Sequence, residues 1–395
     1  MNDGDRETAQ HANAQGLAAL RAGDGPGAVQ AFATATSLDP AAGPLWRNLA
    51  HAHRLCGNAA SERAALERAL ALDRTDFAAL LRKAQLLERM GEEIAAMQTW
   101  SGVLQMARAM PEPPPTLAAE LAAGQGYADA LRDRLDAAGR TALAPLAASL
   151  DETEARRMQR FVDLALGRGS VFTNQCAGVY YPFLPADEFF DRHHFSWFAE
   201  LEAGTAAIRD ELDTLLASGD EVLRPYVRMD EGTPASVWSE LDGSLDWGAC
   251  FLWEYGVPNP PVIERCPQTA ALLERLPLQR IPGRAPNAFF SLLRPGKIIP
   301  PHTGVTNTRA IVHLALDVPP DCGFRVGGET RAWVEGKAFA FDDTIEHEAW
   351  NRSERRRAVL ILDTWNPHLG QNERAAITTY FEASDATLAG SLAPA

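Results

Sequence analysis

The chain has 395 residues and a formal net charge of −15, with 46% hydrophobic and 23% charged residues. This composition is typical of a folded globular protein, and the length exceeds that of one ordinary domain. The negative charge argues against nucleic acid as the main partner, because phosphate binding needs a basic surface. We therefore expect two or three globular domains and no nucleic-acid partner.

The sequence gives no signal for a membrane or for secretion. No apolar run reaches the length of about 18 residues that a membrane span needs, and residues 1–15 are too polar for a secretory signal. The five cysteines are dispersed without CxxC pairs, which is typical of reduced thiols. We predict a cytoplasmic protein with no membrane partner.

A repeat occupies the first hundred residues. Gly23, Gly57 and Gly91 are 34 residues apart, and each lies between two amphipathic helical stretches. The other positions that recur with this spacing are Gly16, Ala50 and Ala84; Phe32, Leu66 and Trp100; and Ala35 and Ala69. This pattern resembles the tetratricopeptide repeat, in which stacked helix pairs build concave peptide-binding surfaces. An unrelated helical bundle is the alternative, and the repeats could also mediate self-association.

A proline cluster at 110–116 interrupts the helical pattern, since proline cannot continue a helix. We predict tetratricopeptide-like repeats over 1–110 and a helical linker region over 111–169. From Ser170 the composition changes to aromatic residues and proline, and one helix is predicted around 197–215.

Short strands separated by turn residues dominate the chain after Asn287. The predicted strands are Phe289–Leu293, Ala310–Leu316, Phe324–Val326, Ala338–Phe341 and Ala358–Leu362. Many short strands with turn signals predict a closed or sandwiched antiparallel structure, of which the double-stranded β-helix jelly roll is one. The fold class is therefore multidomain α and β, with a jelly-roll domain and flanking helices over 170–395.

Three residues in this half have the chemistry of a metal site with an anion anchor. His302 and His347 are 45 residues apart, and each lies beside a turn, so they converge only if strands fold back on each other. Neutral imidazoles suit Fe(II). Arg357 precedes an apolar strand, where its guanidinium can grip a buried carboxylate with two hydrogen bonds. The competing interpretation is that each histidine is a hydrogen-bonded core residue.

The stretch from about Ser291 to Pro367 resembles the aspartyl/asparaginyl β-hydroxylase family of 2-oxoglutarate oxygenases. The matching residues are His302, Thr303, Gly304, Thr306, Asn307, Arg309, His313, Phe341, Asp342, Asp343, Glu346, His347, Glu348, Trp350, Arg357, Asp363, Thr364, Trp365, Asn366 and Pro367. Weaker similarity extends back through Trp247 towards Ser170.

The resemblance implies an Fe(II) centre on His302 and His347, with O2 as oxidant. In the family a glycine replaces the usual carboxylate ligand, and Gly304 matches it. Asp342 and Asp343 are interpreted as acids that accept backbone N–H groups before a turn rather than as ligands. Glu346 and Glu348 are candidates to orient the imidazoles.

The same resemblance implies that 2-oxoglutarate is the cosubstrate. Arg357 and Ser291 would hold its distal carboxylate, and His313 would contact the end that chelates the metal. Arg309 and Trp247 are candidate substrate-binding residues, although packing is the favoured role for Trp247.

Departures from the family concern the substrate. The animal enzymes have an arginine at the position of Ile311, a cysteine pair where only Cys266 occurs here, and a membrane anchor. We predict an Fe(II)- and 2-oxoglutarate-dependent hydroxylase acting on an Asp/Asn-like residue of a peptide or protein. The alternatives are a hydroxylase of a small amino acid or lipid, another jelly-roll metalloenzyme, and a repeat-based scaffold with a vestigial oxygenase domain.

Overall fold

The computed structural model describes residues 3–110, 112–217 and 219–391. Pro111 of the predicted proline cluster lies outside the described residues, as do residues 1, 2, 218 and 392–395. The chain divides into two compact units, Met1–Leu166 and Gly167–Ala395. The multidomain architecture predicted from the sequence is confirmed.

The described residues of the first unit form helices joined by short turns and loops. Its helices are α1 (Asp3–Arg21), α2 (Gly25–Leu38), α3 (Gly43–Leu55), α4 (Ala59–Leu72), α5 (Phe77–Arg89), α6 (Glu93–Ala107), α7 (Pro115–Ala147) and α8 (Glu152–Ala165). Gly23, Gly57 and Gly91 end the first helix of each pair with φ of 75°, 69° and 73°. Only glycine adopts this conformation at little cost, so the 34-residue spacing sets three successive helical hairpins.

Small residues allow the paired helices to approach closely. A Cβ at Gly16 would lie 2.6 Å from the ring of Phe32, which is fully buried. Ala50 and Ala84 occupy the equivalent buried positions in the next two repeats. The helix starts are also specified locally, since the Asp24 side chain accepts the Gly27 N–H. These features produce the tetratricopeptide-like repeats that the sequence predicts.

The helix that follows the proline cluster continues this packing. A Cβ at Gly124 of α7 would lie 2.3 Å from the Trp100 ring of α6, and Leu121 joins the cluster around Trp100. Helices α7 and α8 thus belong to the first compact unit, which ends at Leu166. The treatment of 111–169 as a region of its own stays a prediction.

The second unit combines helices with antiparallel strands. Its helices are α9 (Phe198–Ala203), α10 (Thr205–Ala217), α11 (Pro260–Ile263), α12 (Pro267–Arg275) and α13 (Gln371–Ser391). Its strands are β1 (Phe189–Phe190), β2 (Arg224–Pro225), β3 (Trp247–Glu254), β4 (Val257–Pro258), β5 (Ala288–Leu293), β6 (Ile298–His302), β7 (Arg309–Asp317), β8 (Cys322–Val326), β9 (Glu329–Arg331), β10 (Ala338–Phe341), β11 (His347–Asn351) and β12 (Arg357–Trp365). All five predicted strands are confirmed.

The predicted helix around 197–215 is wrong as a single element. It is interrupted at Gly204, between α9 and α10. A Cβ at this glycine would lie 2.5 Å from Leu272 Cδ2, so the break lets the chain pass close to α12. Periodicity alone does not reveal such a break, because Leu201 and Ile208 are both buried on either side of it.

Two sheets form the β-structure. The larger sheet has the order β1-β10-β7-β12-β5-β3-β2, with β4 paired to β3, and the smaller has the order β6-β11-β8-β9. From β5 onward the chain passes back and forth between the sheets, an order that agrees with the predicted double-stranded β-helix. One face of the larger sheet packs with α9, α10 and α12, and the other faces the smaller sheet. Because side chains alternate along a strand, odd-numbered residues of β5, β7 and β12 point between the sheets.

Candidate active site

The two predicted metal ligands are direct neighbours across one pair of strands. His347 on β11 is the Cα partner of His302 on β6. Their ring centroids are 4.0 Å apart, as expected for cross-strand partners on the same face. The structure therefore brings together the two histidines that the sequence separates by 45 residues.

Each imidazole is oriented by a backbone carbonyl two residues before it. His302 Nδ1 lies 2.7 Å from the Pro300 oxygen, and His347 Nδ1 lies 3.0 Å from the Ile345 oxygen. A carbonyl oxygen only accepts, so each Nδ1 carries the proton and each Nε2 keeps a free lone pair. Both rings thus have the tautomer that ligates a metal through Nε2.

Burial keeps both histidines neutral. It lowers the pKa of His302, and together with the neighbouring His302 it lowers the pKa of His347 to about 3. Glu346 and Glu348 do not orient the rings, because both pair with Arg325. The expectation that these two carboxylates hold the imidazoles is wrong.

Gly304 has no space for a side chain. A Cβ there would lie 2.1 Å from Asp343 Oδ2. That oxygen accepts from Arg309 Nη2 at 2.8 Å, and Arg309 Nη1 also donates to Asp363 Oδ2 at 3.3 Å. The ion pair of Asp343 and Arg309 therefore leaves room only for a glycine at position 304.

The two acids before the turn behave differently. Asp342 accepts the Thr344 N–H at 3.0 Å, as predicted for an acid at a turn. Asp343 instead pairs with Arg309, so the same interpretation is wrong for Asp343. Within residues 3–110, 112–217 and 219–391, no cluster of three or more His, Cys, Asp or Glu side chains could hold a metal ion. Two histidines without a carboxylate are thus what the described chain offers.

Arg357, Ser291 and Trp247 meet on the larger sheet. The Cα partners of Ser291 are Val359 and Ala249, so Arg357 and Trp247 approach it diagonally from the two flanking strands. Arg357 Nη1 lies 3.4 Å from Ser291 Oγ, and Trp247 Nε1 donates to the same oxygen at 3.0 Å. The predicted pair of Arg357 and Ser291 is therefore assembled in the fold.

The guanidinium of Arg357 is buried without an acid. Its side chain is 1% exposed, its Nε has no hydrogen-bond partner, and no ion pair is formed with it in the described part of the chain. Burial lowers its pKa to about 10, so it stays charged at neutral pH. An uncompensated buried charge costs several kcal/mol, which makes this position suited to an anionic ligand.

His313 lines the same cavity as Arg357 and His347. Its Nδ1 accepts from Trp333 Nε1 at 3.4 Å, so the proton resides on Nε2, which is a donor. Burial and the charges of Arg357 and His347 lower the pKa of this ring well below its usual range. Sequence reasoning missed Trp333, which is buried with its ring 5.0 Å from the Arg357 guanidinium.

A cavity of about 530 Å³ is lined by His302, His347, His313, Ser291 and Arg357. Trp238 packs edge-on against His302 with ring centroids 4.8 Å apart, and Tyr226 stacks on Trp247 at 3.9 Å. Arg309 and Trp247 both line the cavity, but whether they contact a substrate stays a prediction. Part of the cavity lining is therefore aromatic, and sequence reasoning missed Trp238 and Tyr226.

No described helix is long and apolar enough to cross a membrane. The predicted cytoplasmic location stays a prediction.

The comparison with known families agrees with this geometry. Residues 202–367 match the family model described as Aspartyl/Asparaginyl beta-hydroxylase. This stretch contains both histidines, Arg357 and the other predicted site residues. Residues 202–367 form an aspartyl/asparaginyl β-hydroxylase domain. The family resemblance inferred from the sequence is confirmed.

Several relatives share this aspartyl/asparaginyl β-hydroxylase domain. The mouse (Mus musculus) aspartyl/asparaginyl beta-hydroxylase is 38% identical over 133 residues, which cover 33% of this chain and 18% of the mouse protein. The ornithine lipid ester-linked acyl 2-hydroxylase of Rhizobium tropici is 37% identical over 181 residues, covering 45% of this chain and 60% of that protein. The chain thus spans less than two thirds of each relative.

Among solved structures, the TPR2B-domain:pHsp70 complex of yeast Sti1 is similar at 20% identity with a TM-score of 0.29. The match covers 32% of this chain and 98% of that chain.

Proposed function

We propose that this protein is an Fe(II)- and 2-oxoglutarate-dependent hydroxylase. The observation that carries the proposal is the buried, unpaired guanidinium of Arg357 in the same cavity as two neutral histidines whose Nε2 atoms are free. A metal site alone does not need such an arginine, whereas a chelating cosubstrate with a second carboxylate does. This favours the proposal over another jelly-roll metalloenzyme and over a vestigial scaffold.

The residues of the cavity fit both groups. His302 and His347 would hold Fe(II) through Nε2, while Arg357 and Ser291 would hold the distal carboxylate of 2-oxoglutarate. When bound, iron, 2-oxoglutarate and O2 supply the oxidising chemistry, with succinate and CO2 as products and one oxygen atom transferred to a substrate C–H bond.

The chain itself supplies orientation and a dry environment. The carbonyls of Pro300 and Ile345 fix the imidazole tautomers before any ion binds, which removes a reorganisation cost. His313 would donate from Nε2 to an anionic oxygen of the cosubstrate. Trp333 holds the His313 ring in this tautomer and covers the Arg357 guanidinium. It would therefore exclude water from the ion pair between Arg357 and the distal carboxylate of the cosubstrate.

For the substrate, we propose an Asp/Asn-like residue of a peptide or protein. The names of the mouse relative and of the matching family describe this chemistry. The tetratricopeptide-like repeats would recruit the peptide, because stacked helix pairs present extended binding surfaces.

Succinate formation tests the iron and cosubstrate assignment. The purified protein with Fe(II) should convert 2-oxoglutarate to succinate slowly without substrate, and His302→Ala or His347→Ala should abolish this while circular dichroism stays unchanged. His193→Ala is the matched control, because His193 is exposed and outside the cavity. Undiminished succinate formation by both His302→Ala and His347→Ala would contradict the proposed iron site.

A second candidate is hydroxylation of a lipid acyl chain. The Rhizobium tropici relative is named for this reaction, and the aromatic wall of Tyr226, Trp238 and Trp247 could hold an alkyl chain. Substrate-coupled succinate release distinguishes the two: stimulation by an aspartate-containing peptide supports the first candidate, and stimulation by acylated lipid supports the second.

A further inference from the structure

A short extended segment, residues 224–229, forms part of the edge of the candidate active-site cavity. It begins with β2, which pairs with β3 of the larger sheet. The Tyr226 N–H donates to the Trp247 oxygen at 3.0 Å, and the Val227 oxygen accepts the Gly243 N–H at 3.1 Å. Hydrogen bonds on successive residues therefore hold this backbone in place, and the directions of its side chains are set.

Alternate side chains of the segment line the cavity. Arg224, Tyr226 and Arg228 are all lining residues, as expected for an extended chain whose side chains point in alternating directions. Two of these side chains have partners within the fold, since Arg224 pairs with Glu254 and Tyr226 stacks on Trp247. Arg228 is exposed and forms no ion pair with the described residues. Its guanidinium therefore faces the cavity without a carboxylate.

The charges around the cavity show that Arg228 is one of two such arginines. Among the described residues, the charged side chains that line the cavity are four arginines and three carboxylates, namely Arg224, Arg228, Arg309, Arg357, Glu254, Asp343 and Asp363. Glu254 pairs with Arg224. Asp343 and Asp363 both pair with Arg309. The three carboxylates are thus used by two arginines, which leaves Arg228 and Arg357 available for anionic ligands.

The two available arginines lie at different depths. Arg357 is 1% exposed and is the residue proposed to hold the distal carboxylate of 2-oxoglutarate. Arg228 is exposed, so it lies at the entrance of the cavity, where a bound anion keeps contact with water. Since 2-oxoglutarate has a single distal carboxylate, Arg228 has no role in binding it. An exposed guanidinium also needs no counterion for stability, so recognition of a second anion is the role that remains.

We propose that Arg228 binds a carboxylate of the substrate at the cavity entrance, apart from the residue that reacts beside His302 and His347. This carboxylate belongs to an Asp or Glu that flanks the Asp/Asn-like target in a peptide. A guanidinium matches it with two parallel hydrogen bonds. The assignment rests on the proposed function, because it takes the substrate to be a peptide, and it adds a preference for acidic sequence around the target.

Three fluorescein-labelled peptides with blocked ends test this preference. Each has one asparagine, flanked on both sides by glutamate, by glutamine or by lysine, and binding to the whole 395-residue chain without added iron is measured by fluorescence anisotropy. The glutamate peptide should bind most tightly. Arg228→Gln should weaken its binding about three- to fivefold, the loss expected for one exposed ion pair. Arg228→Glu should reverse the order, so that the lysine peptide binds more tightly than the glutamate peptide.

Arg280→Gln is the matched control, because Arg280 is exposed but does not line the cavity, and the loss of its charge should leave peptide binding unchanged. An unchanged order of the peptides in Arg228→Glu, or no binding of the glutamate peptide to the wild type, would overturn the proposal. Binding of phosphatidylglycerol vesicles that depends on Arg228, in place of the peptide, would also overturn it and assign the anion to a lipid. Anisotropy needs neither iron nor turnover, so these results are separate from the succinate assay that tests the proposed function.

Discussion

Two of the arginines that line the same cavity differ, because the fold supplies carboxylates to only one of them. Arg309 on β7 is enclosed by the carboxylates of Asp343 and Asp363. Burial acts to lower the pKa of Arg309, but these charges outweigh it and raise the pKa above its usual range. Arg357 on β12 has no carboxylate, and burial lowers its pKa to about 10. The charge of Arg309 is therefore neutralised by two carboxylates of the fold, whereas the charge of Arg357 is left available for an anionic ligand.

The largest effect on stability is expected from removing the charge of Arg309. Arg309→Ala leaves the buried Asp343 without a cation and leaves Asp363 with only its hydrogen bonds from Asn287. This should lower the free energy of unfolding by about 3–5 kcal/mol. Urea unfolding of the metal-free protein measures this. Arg228→Ala is the control, because Arg228 lines the cavity but forms no ion pair among described residues and should change stability little. Equal stability of both variants would contradict the role given to Arg309.

Removing the charge of Arg357 should weaken 2-oxoglutarate binding rather than stability. Arg357→Ala should raise the 2-oxoglutarate concentration for half-saturation about a hundredfold or more, as expected for losing a buried charge pair of roughly 3 kcal/mol. The unfolding free energy should stay level or rise, because an uncompensated charge is removed. Anaerobic titration by the metal-to-ligand absorption band measures the affinity. Arg357→Lys should have an intermediate affinity for 2-oxoglutarate, since lysine carries a point charge and cannot form the two parallel hydrogen bonds of a guanidinium. Wild-type affinity in the alanine variant would contradict 2-oxoglutarate as the cosubstrate.

Pushing Asp343 away from Arg309 should produce a smaller loss. Gly304→Ala forces the Asp343 carboxylate to move, and overpacking of this kind costs about 1–3 kcal/mol. Gly139→Ala in α7 is the opposite case, because a Cβ there meets no atom within 4 Å. This control should be neutral or stabilising by up to about 1 kcal/mol. Thermal unfolding of the two variants gives the comparison, and a neutral Gly304→Ala would show that the ion pair tolerates displacement.

The smallest effect concerns Asp342, a buried acid with no arginine. Burial raises its pKa to about 7 against the hydrogen bonds from Thr344 and Asn174. A folded-state pKa above the unfolded value means that the folded protein binds more protons, so this group lowers stability as pH rises from about 4 to about 7. Asp342→Asn should remove that slope. Midpoints of thermal unfolding measured across this range test it, and parallel curves for the two proteins would contradict it.

Much of the fold follows from patterns that are local in sequence. The spacing of Gly23, Gly57 and Gly91 predicts the helical hairpins, because each glycine is the turn itself. The strand from Ala358 to Leu362 is equally evident from its apolar run. The break at Gly204 is different, since its cause is Leu272, which is distant in sequence. Local patterns do not contain such contacts.

The site shows the same limit. His302, His347 and Arg357 could be selected because they occur together, with Gly304, at the spacing of the family pattern, although each histidine alone could be a hydrogen-bonded core residue. The partner of Arg309 could not, because Asp342 and Asp343 are adjacent and chemically alike. The folded turn between β10 and β11 decides that Asp343 meets the guanidinium while Asp342 accepts from Thr344. Trp333 was missed because a turn tryptophan gives no sign of which ring or charge it will cover.

The pairing of His302 with His347 has a mechanical consequence. An ion bound to both rings would cross-link β6 to β11, two strands that otherwise separate when the edge of the smaller sheet opens. Slippage by one residue would turn one ring to the opposite face, so the bound ion would also lock the register. We expect backbone amides of β6 and β11 to exchange with deuterium more slowly in the iron-loaded protein, while those of α1–α6 keep their rates. His302 and His347 would then serve both as metal ligands and as a cross-link that stabilises the edge of the smaller sheet.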